Sequence, residues 1–208
     1  MGILTNEIML KFNAAQKDSL YPIGIKHEFS VLALLTEKSG KPCFVFEVRS
    51  SRIDRQPGET CFPGGEVEKG EDIKNAALRE TREELGIPEE SIKDCSYLGT
   101  MVQYWGSAVH VFTGLITEET FRSICKNESE VEEIFTVPVE RFTSEKPDMP
   151  VLRMRPSVSD DFPYEKAGIS PDYHWGKSET AEPVWNFDGH SVWGLTGRII
   201  LFLLDILV

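Results

Sequence analysis

Apolar residues recur along this chain in two rhythms. Residues 29–36 (FSVLALLT) and 43–49 (CFVFEVR) are near-continuous apolar runs of strand length, and the residue types between them (EKSGKP) make a turn, so the pair predicts a hairpin. Further strands are predicted around 96–104 and 108–116. Residues 71–85 carry the strongest helical period, with Gly86 just past its end and Pro88 forbidding continuation. A short acidic helix is expected near 118–126 and a strand and turn near 131–142. Residues 143–190, rich in Pro, Ser, Asp and aromatics, predict loops with short helical pieces, and an apolar helix from Val192 ends the chain. Residues 1–26 show only a weak helical period, closed by Pro22 and Gly24. Strands and helices interleave without a regular βαβ rhythm and without a repeat. That predicts an α/β (α+β) fold with a mixed β-sheet sandwiched between helices.

Composition changes this picture little. At 208 residues, 40% hydrophobic and 27% charged, the chain suits one well-cored domain spanning 1–208, with an N-terminal extension of about 1–26 and a C-terminal helix of about 192–208. Charge changes it more. A formal net charge of -12 repels phosphate backbones and anionic lipid, which excludes nucleic acid and membrane surfaces as main partners. An anionic substrate then needs local help, most simply a bound divalent cation. The apolar run at 199–204 falls well short of the ~20 residues a membrane span needs. It reads as a buried helix, packed within the monomer or across a homodimer.

The four cysteines at 43, 61, 95 and 125 form no C-x-x-C pair, which fits a reducing, cytoplasmic setting. The first residues lack a signal-peptide pattern, and Ile206-Leu207-Val208 is not a peroxisomal address. The histidines at 27, 110, 174 and 190 form no metal-ligand pair.

The helix at 71–85 holds the candidate chemistry. At about 100° per residue, Glu80, Glu83 and Glu84 share one arc, with Ile73 and Ala77 on or beside it. Arg79 and Arg82 project elsewhere on the wheel. Crowded like charges on a partly buried face either take up protons or hold a cation, and hard oxygen ligands suit Mg²⁺ or Mn²⁺. On the helix alone, a solvated acidic face stays open as the alternative. Gly64 and Gly65, just upstream, let backbone approach a ligand closely. Glu71, at the head of the helix, favours its dipole and can reach back to the site.

The spacing Gly65-x5-Glu71-x7-Arg79-Glu80-Thr81-x-Glu83-Glu84-x-Gly86-Ile87 resembles the Nudix box, over 65–87, with Thr81 where the pattern has a large aliphatic residue. The resemblance implies a Nudix fold and Mg²⁺- or Mn²⁺-dependent cleavage of a small-molecule diphosphate linked to another moiety. It places the metal on Glu80, Glu83 and Glu84. It gives catalytic support to Glu83, Arg79 and Glu71, with Arg79 bracing a box glutamate. The general base stays open among the box glutamates and a loop carboxylate, of which Glu130 is a candidate.

Upstream, Arg49-Ser50, Arg55, Gly58 and Phe62-Pro63-Gly64-Gly65 resemble the motif preceding the box in coenzyme A diphosphatases of that superfamily, with Asp54 replacing one arginine. The resemblance implies hydrolysis of CoA or acyl-CoA to adenosine 3′,5′-bisphosphate and 4′-phosphopantetheine. Arg49, Arg55, Phe62, Gly64 and Gly65 would then bind substrate, with Arg52 adding charge. Tyr104, Trp105 and Trp175 either stack an adenine or pack within their own loops. The alternatives are a Nudix pyrophosphatase for ADP-ribose, NADH or nucleoside triphosphates, and a Nudix-fold binding module without turnover. The isomerase branch, which uses a cysteine, is disfavoured because Cys61 is not expected beside a separate acid.

Overall fold

The computed structural model describes residues 24–207. The N-terminal extension expected at about 1–26 therefore lies almost wholly outside the described residues. The elements run β1 (His27–Lys38), β2 (Lys41–Arg49), β3 (Thr60–Cys61), β4 (Gly64–Glu66), α1 (Ile73–Leu85), β5 (Lys93–Val102), β6 (Ser107–Ile116), α2 (Glu118–Arg122), β7 (Val131–Pro138), α3 (Val139–Ser144), β8 (Val151–Met154), α4 (Tyr164–Ala167), β9 (Ser178–Ala181), β10 (Val184–Phe187), β11 (His190–Trp193) and α5 (Gly194–Leu207).

A seven-stranded mixed sheet organises them, in the order β3-β2-β1-β6-β5, with β4 paired to β1 and β7 to β2. The expected hairpin is present: β1 and β2 pair antiparallel through Lys38↔Lys41 around the turn at Ser39 and Gly40. β1 runs parallel to β6 along most of its length and antiparallel to β4 through Phe29↔Glu66 to Val31↔Gly64. That last pairing sets the box loop against the sheet.

The period-2 alternation of the strands sorts side chains to two faces. Leu32, Leu34, Val45 and Phe112 pack with Ala77, Leu85 and Ile87 beneath α1. Ala33, Phe44, Phe46 and Val111 pack with Ile199, Ile200 and Leu203 of α5 on the other side. The sheet is thus sandwiched between helices. No described helix is long and apolar enough to cross a membrane.

Two expectations need correction. Residues 143–193 contain two antiparallel strand pairs, the hairpin of β10 with β11 and the long-range pair of β8 with β9, besides the short α4. Their strands are four residues each, too short for alternation to stand out against the surrounding Pro and Gly. The terminal helix starts at Gly194, because Val192 and Trp193 are held in β11 against Trp185 and Val184.

Candidate active site around the box helix

α1 begins at Ile73, two residues later than expected, and ends at Leu85 as expected. Asp72 caps it, its carboxylate accepting the Lys74 and Asn75 amides at 2.9 and 3.2 Å. Gly86 ends it in the left-handed region at φ 68, its N–H donating to the Arg82 carbonyl. The last helical carbonyls are taken by the loop that follows α2, Cys125 N to Leu85 O at 3.2 Å and Asn127 N to Glu84 O at 2.8 Å. A Cβ on Gly86 would sit 2.7 Å from the Cys125 carbonyl oxygen, so backbone crowding as well as φ requires glycine. Thr81, the departure from the box pattern, is fully buried and donates its hydroxyl to the Ala77 carbonyl at 2.7 Å, so its polar atom is satisfied within the helix.

Glu71 precedes the cap, so it does not lie in the helix's first turn as expected. Its carboxylate turns to Arg79, accepting Nε at 2.8 Å and Nη2 at 3.1 Å, and it also accepts the Glu68 amide at 2.9 Å. These donors hold Glu71 below the usual carboxylate range, the Arg79 bonds first.

Arg79 does not project away from the acidic arc, as the helical wheel suggested. Its long side chain bends across it, with Nη1 donating to Glu80 at 2.7 Å and Glu83 at 3.2 Å, and Nη2 to the Glu66 carbonyl at 3.2 Å. One planar guanidinium therefore braces three glutamates, a task suited to its fixed fork of donors.

The three arc carboxylates sit in different surroundings. Glu83 is exposed and Glu80 is half-buried. Glu84 is 3% exposed and accepts the Gly64 amide at 2.9 Å. Gly65 is where it is because a Cβ there would lie 2.3 Å from the Glu80 carboxyl carbon. Burial raises Glu80, and it pushes Glu84 up to about 9, aided by the charge of Glu47.

Glu47 is the residue that sequence reasoning missed. It sits on β2, 1% exposed, and burial raises it to about 7. It accepts the Cys61 thiol at 3.3 Å, so Cys61 does stand beside an acid, contrary to expectation. Burial, reinforced by that carboxylate, raises the Cys61 thiol well above its ordinary value, which keeps it protonated and unreactive. A signal was available: Glu47 is the lone acid in an apolar strand, alternating onto the face of Val45.

The expected substrate residues divide. Gly64 and Gly65 lie at the box carboxylates, as described. Arg49 alternates onto the face of Glu47 and donates Nε to the Arg55 carbonyl at 3.2 Å, while Arg55 is exposed. Arg52 braces the neighbouring turn, donating Nη2 to the Glu128 carbonyl. Phe62, expected at the substrate, is 3% exposed, stacked on Phe46 at 4.9 Å and edge-on to Phe44 at 6.0 Å in the core facing α5. Glu130 is exposed in the turn before β7, close enough for its charge to raise Glu47 and Glu80. Tyr104 and Trp105 form an exposed edge-to-face pair at 4.5 Å, and Trp175 packs on Phe162 and Tyr173 within its own loop.

Among the described residues, no three Asp, Glu, His or Cys side chains are drawn together tightly enough to hold a metal ion. Arg79 occupies Glu80 and Glu83 instead. The donors are nevertheless right in kind for a hard divalent cation. They are carboxylate oxygens that repel one another, and a buried oxygen of Glu47 has no partner.

Comparisons with known proteins bear on the family of this chain. The chain is 36% identical over 117 residues to the peroxisomal coenzyme A diphosphatase NUDT7 of Mus musculus, covering 56% of this chain and 49% of that one. It is 33% identical over 113 residues to Nudix hydrolase 3 of Caenorhabditis elegans, covering 53% and 47%. It is 28% identical over 193 residues to the mitochondrial coenzyme A diphosphatase NUDT8 of Homo sapiens, covering 86% and 68%. The chain spans about half the length of the first two of these relatives. A family model described as the NUDIX domain matches residues 26–157, the stretch that contains the sheet, the capped helix and its braced glutamates, and the chain belongs to that family.

Proposed function

We propose that this chain hydrolyses the diphosphate of CoA or acyl-CoA, giving adenosine 3′,5′-bisphosphate and (acyl-)4′-phosphopantetheine, with Mg²⁺ or Mn²⁺. The observation that carries the reading is the box-helix cluster: Glu84 buried on the Gly64 amide, with Glu80 and Glu83 held by Arg79. The substrate rests on the adjoining arginine loop and on relatives whose names include coenzyme A diphosphatase.

A divalent cation, when bound, neutralises diphosphate oxygens and acidifies the attacking water. Glu80, Glu83 and Glu84 would hold it. The chain's own residues do the rest. Arg79 keeps Glu80 and Glu83 on one side of the helix, and Glu71 anchors Arg79. Arg49 and Arg55 offer cations to the substrate on an otherwise acidic molecule, including the 3′-phosphate that sets CoA apart. Glu83 and Glu130, both exposed, would be the carboxylates that take the proton of the water as it attacks one phosphorus and the bridging oxygen leaves with the other phosphate. Four unpaired cysteines support a reducing, cytoplasmic setting, which localisation of the full-length chain in cells tests.

Product analysis after incubation with CoA decides the activity. Phosphopantetheine should appear with Mg²⁺ and not with EDTA, faster than AMP from ADP-ribose. Glu84→Gln should lower turnover by roughly 100-fold or more, since the cation seat loses a charged ligand, and should keep a melting transition near wild type. Faster cleavage of ADP-ribose or NADH would move the chain to the general pyrophosphatases. CoA binding without cleavage in wild type would make it a binding module.

A further inference from the structure

Glu47 belongs to no part of the box, yet it is built into the wall behind it. Its β2 position is pinned on both sides, opposite Cys61 of β3 and Ile134 of β7. Its Oε1 accepts the Cys61 thiol at 3.3 Å, which fixes the carboxyl group's rotation. Its Oε2 is buried and has no hydrogen-bond partner. A carboxylate oxygen taken out of water without a donor is costly, and any apolar residue at this position would avoid that cost.

The surroundings give the oxygen a direction. Val45, two residues back on the same face, packs in the core beneath α1. Of all charged groups, Glu47 acts most strongly on Glu84, and Glu80 and Glu130 act on Glu47 in turn. Glu84 itself is tied to the Gly64 amide, three residues beyond Cys61. The unpartnered oxygen and the box carboxylates thus share the α1 side of the sheet, where Arg49 acts on both Glu47 and Glu84.

We propose that Glu47 gives its unpartnered Oε2 to the divalent cation held by Glu80, Glu83 and Glu84, so that the seat extends from the helix into the sheet. This rests on the cation reading above. The Cys61 thiol then acts as a positioning group, donating to one oxygen so that the other stays available, as outer hydrogen bonds commonly do for metal-bound carboxylates.

The test is Mn²⁺ titration of the full chain, followed by the electron paramagnetic resonance signal of free Mn²⁺, with melting curves alongside. Wild type, Glu47→Gln, Glu47→Asp and Glu84→Gln are compared. Both Glu47 variants should bind Mn²⁺ roughly tenfold or more weakly than wild type. Glu47→Asp keeps the charge and loses only reach, so it separates a ligand from a mere source of negative field. Wild-type affinity in Glu47→Asp, or in Glu47→Gln, overturns the proposal. If Glu84→Gln weakens binding while both Glu47 variants match wild type, this inference fails and the cation reading stands. If wild type takes up no Mn²⁺, both fall. Should Glu47→Gln show no cooperative melt, Glu47→Asp decides alone.

Discussion

Gly65 and Gly86 are both fixed letters of the box, and the structure gives them opposite duties. At Gly65 an added methyl would meet the far end of the Glu80 side chain, at 2.3 Å from its carboxyl carbon. A flexible side chain can swing away, so folding tolerates the change, but the swing takes Glu80 off Arg79. Gly65→Ala should therefore melt within a few degrees of wild type while turnover falls, by about 100-fold if the carboxylate moves by an ångström. At Gly86 the obstacle is the Cys125 backbone carbonyl at 2.7 Å, and φ is 68. Gly86→Ala should cost about 1–3 kcal/mol of stability and leave turnover per folded molecule close to wild type. Circular-dichroism melts and CoA turnover on the two variants check the pair. Equal losses of both properties in both variants would refute the division. The box pattern named these glycines but could not say which one guards chemistry, because that depends on what lies opposite across space.

At the scale of elements, the helix was legible and its setting was not. Spacing alone puts Glu80, Glu83 and Glu84 on one arc, yet it sends Arg79 elsewhere, since a wheel plots Cβ directions and not the reach of a guanidinium. Nor does any spacing within α1 reveal that β2 supplies a fourth carboxylate to the same side. That pairing has a consequence for pH. Glu84 and Glu47 are raised to about 9 and about 7 from an ordinary 4.5, first by burial, with the charge of Glu47 adding to Glu84 and those of Glu130 and Glu80 adding to Glu47. Raised acids bind more protons folded than unfolded. Their stabilisation is complete below about pH 4.5 and is lost as pH climbs through the folded values. Glu71 is shifted the other way, so its contribution changes only below 4.5. In EDTA the melting temperature should then fall steadily from pH 5 to pH 9. A melting temperature that is flat or rises over that window would show that the two acids are not buried together as described.

For the molecule as a whole, the long apolar runs announced the central strands and the sheet's two helical covers, because burial on both faces leaves a strong signal. The strand pairs within 143–193 stayed hidden, and so did the packing of Phe62, which lies just before the box glycines in sequence. Phe62 shows how the two faces divide the work. The box carboxylates and Glu47 lie on the α1 side, while Phe44, Phe46, Phe62 and Phe142 join Ile199, Ile200 and Leu203 in an apolar layer under α5. If that layer only supports the sheet, damage to it should lower stability and spare the site. Ile200 is fully buried there, and Ile200→Ala should cost about 2–5 kcal/mol. Measured well below its lowered melting temperature, the variant should keep wild-type KM for CoA and wild-type Mn²⁺ affinity. Turnover lost in proportion to stability at such a temperature would mean that α5 takes part in shaping the site. Intact turnover would locate the chemistry on the α1 face alone.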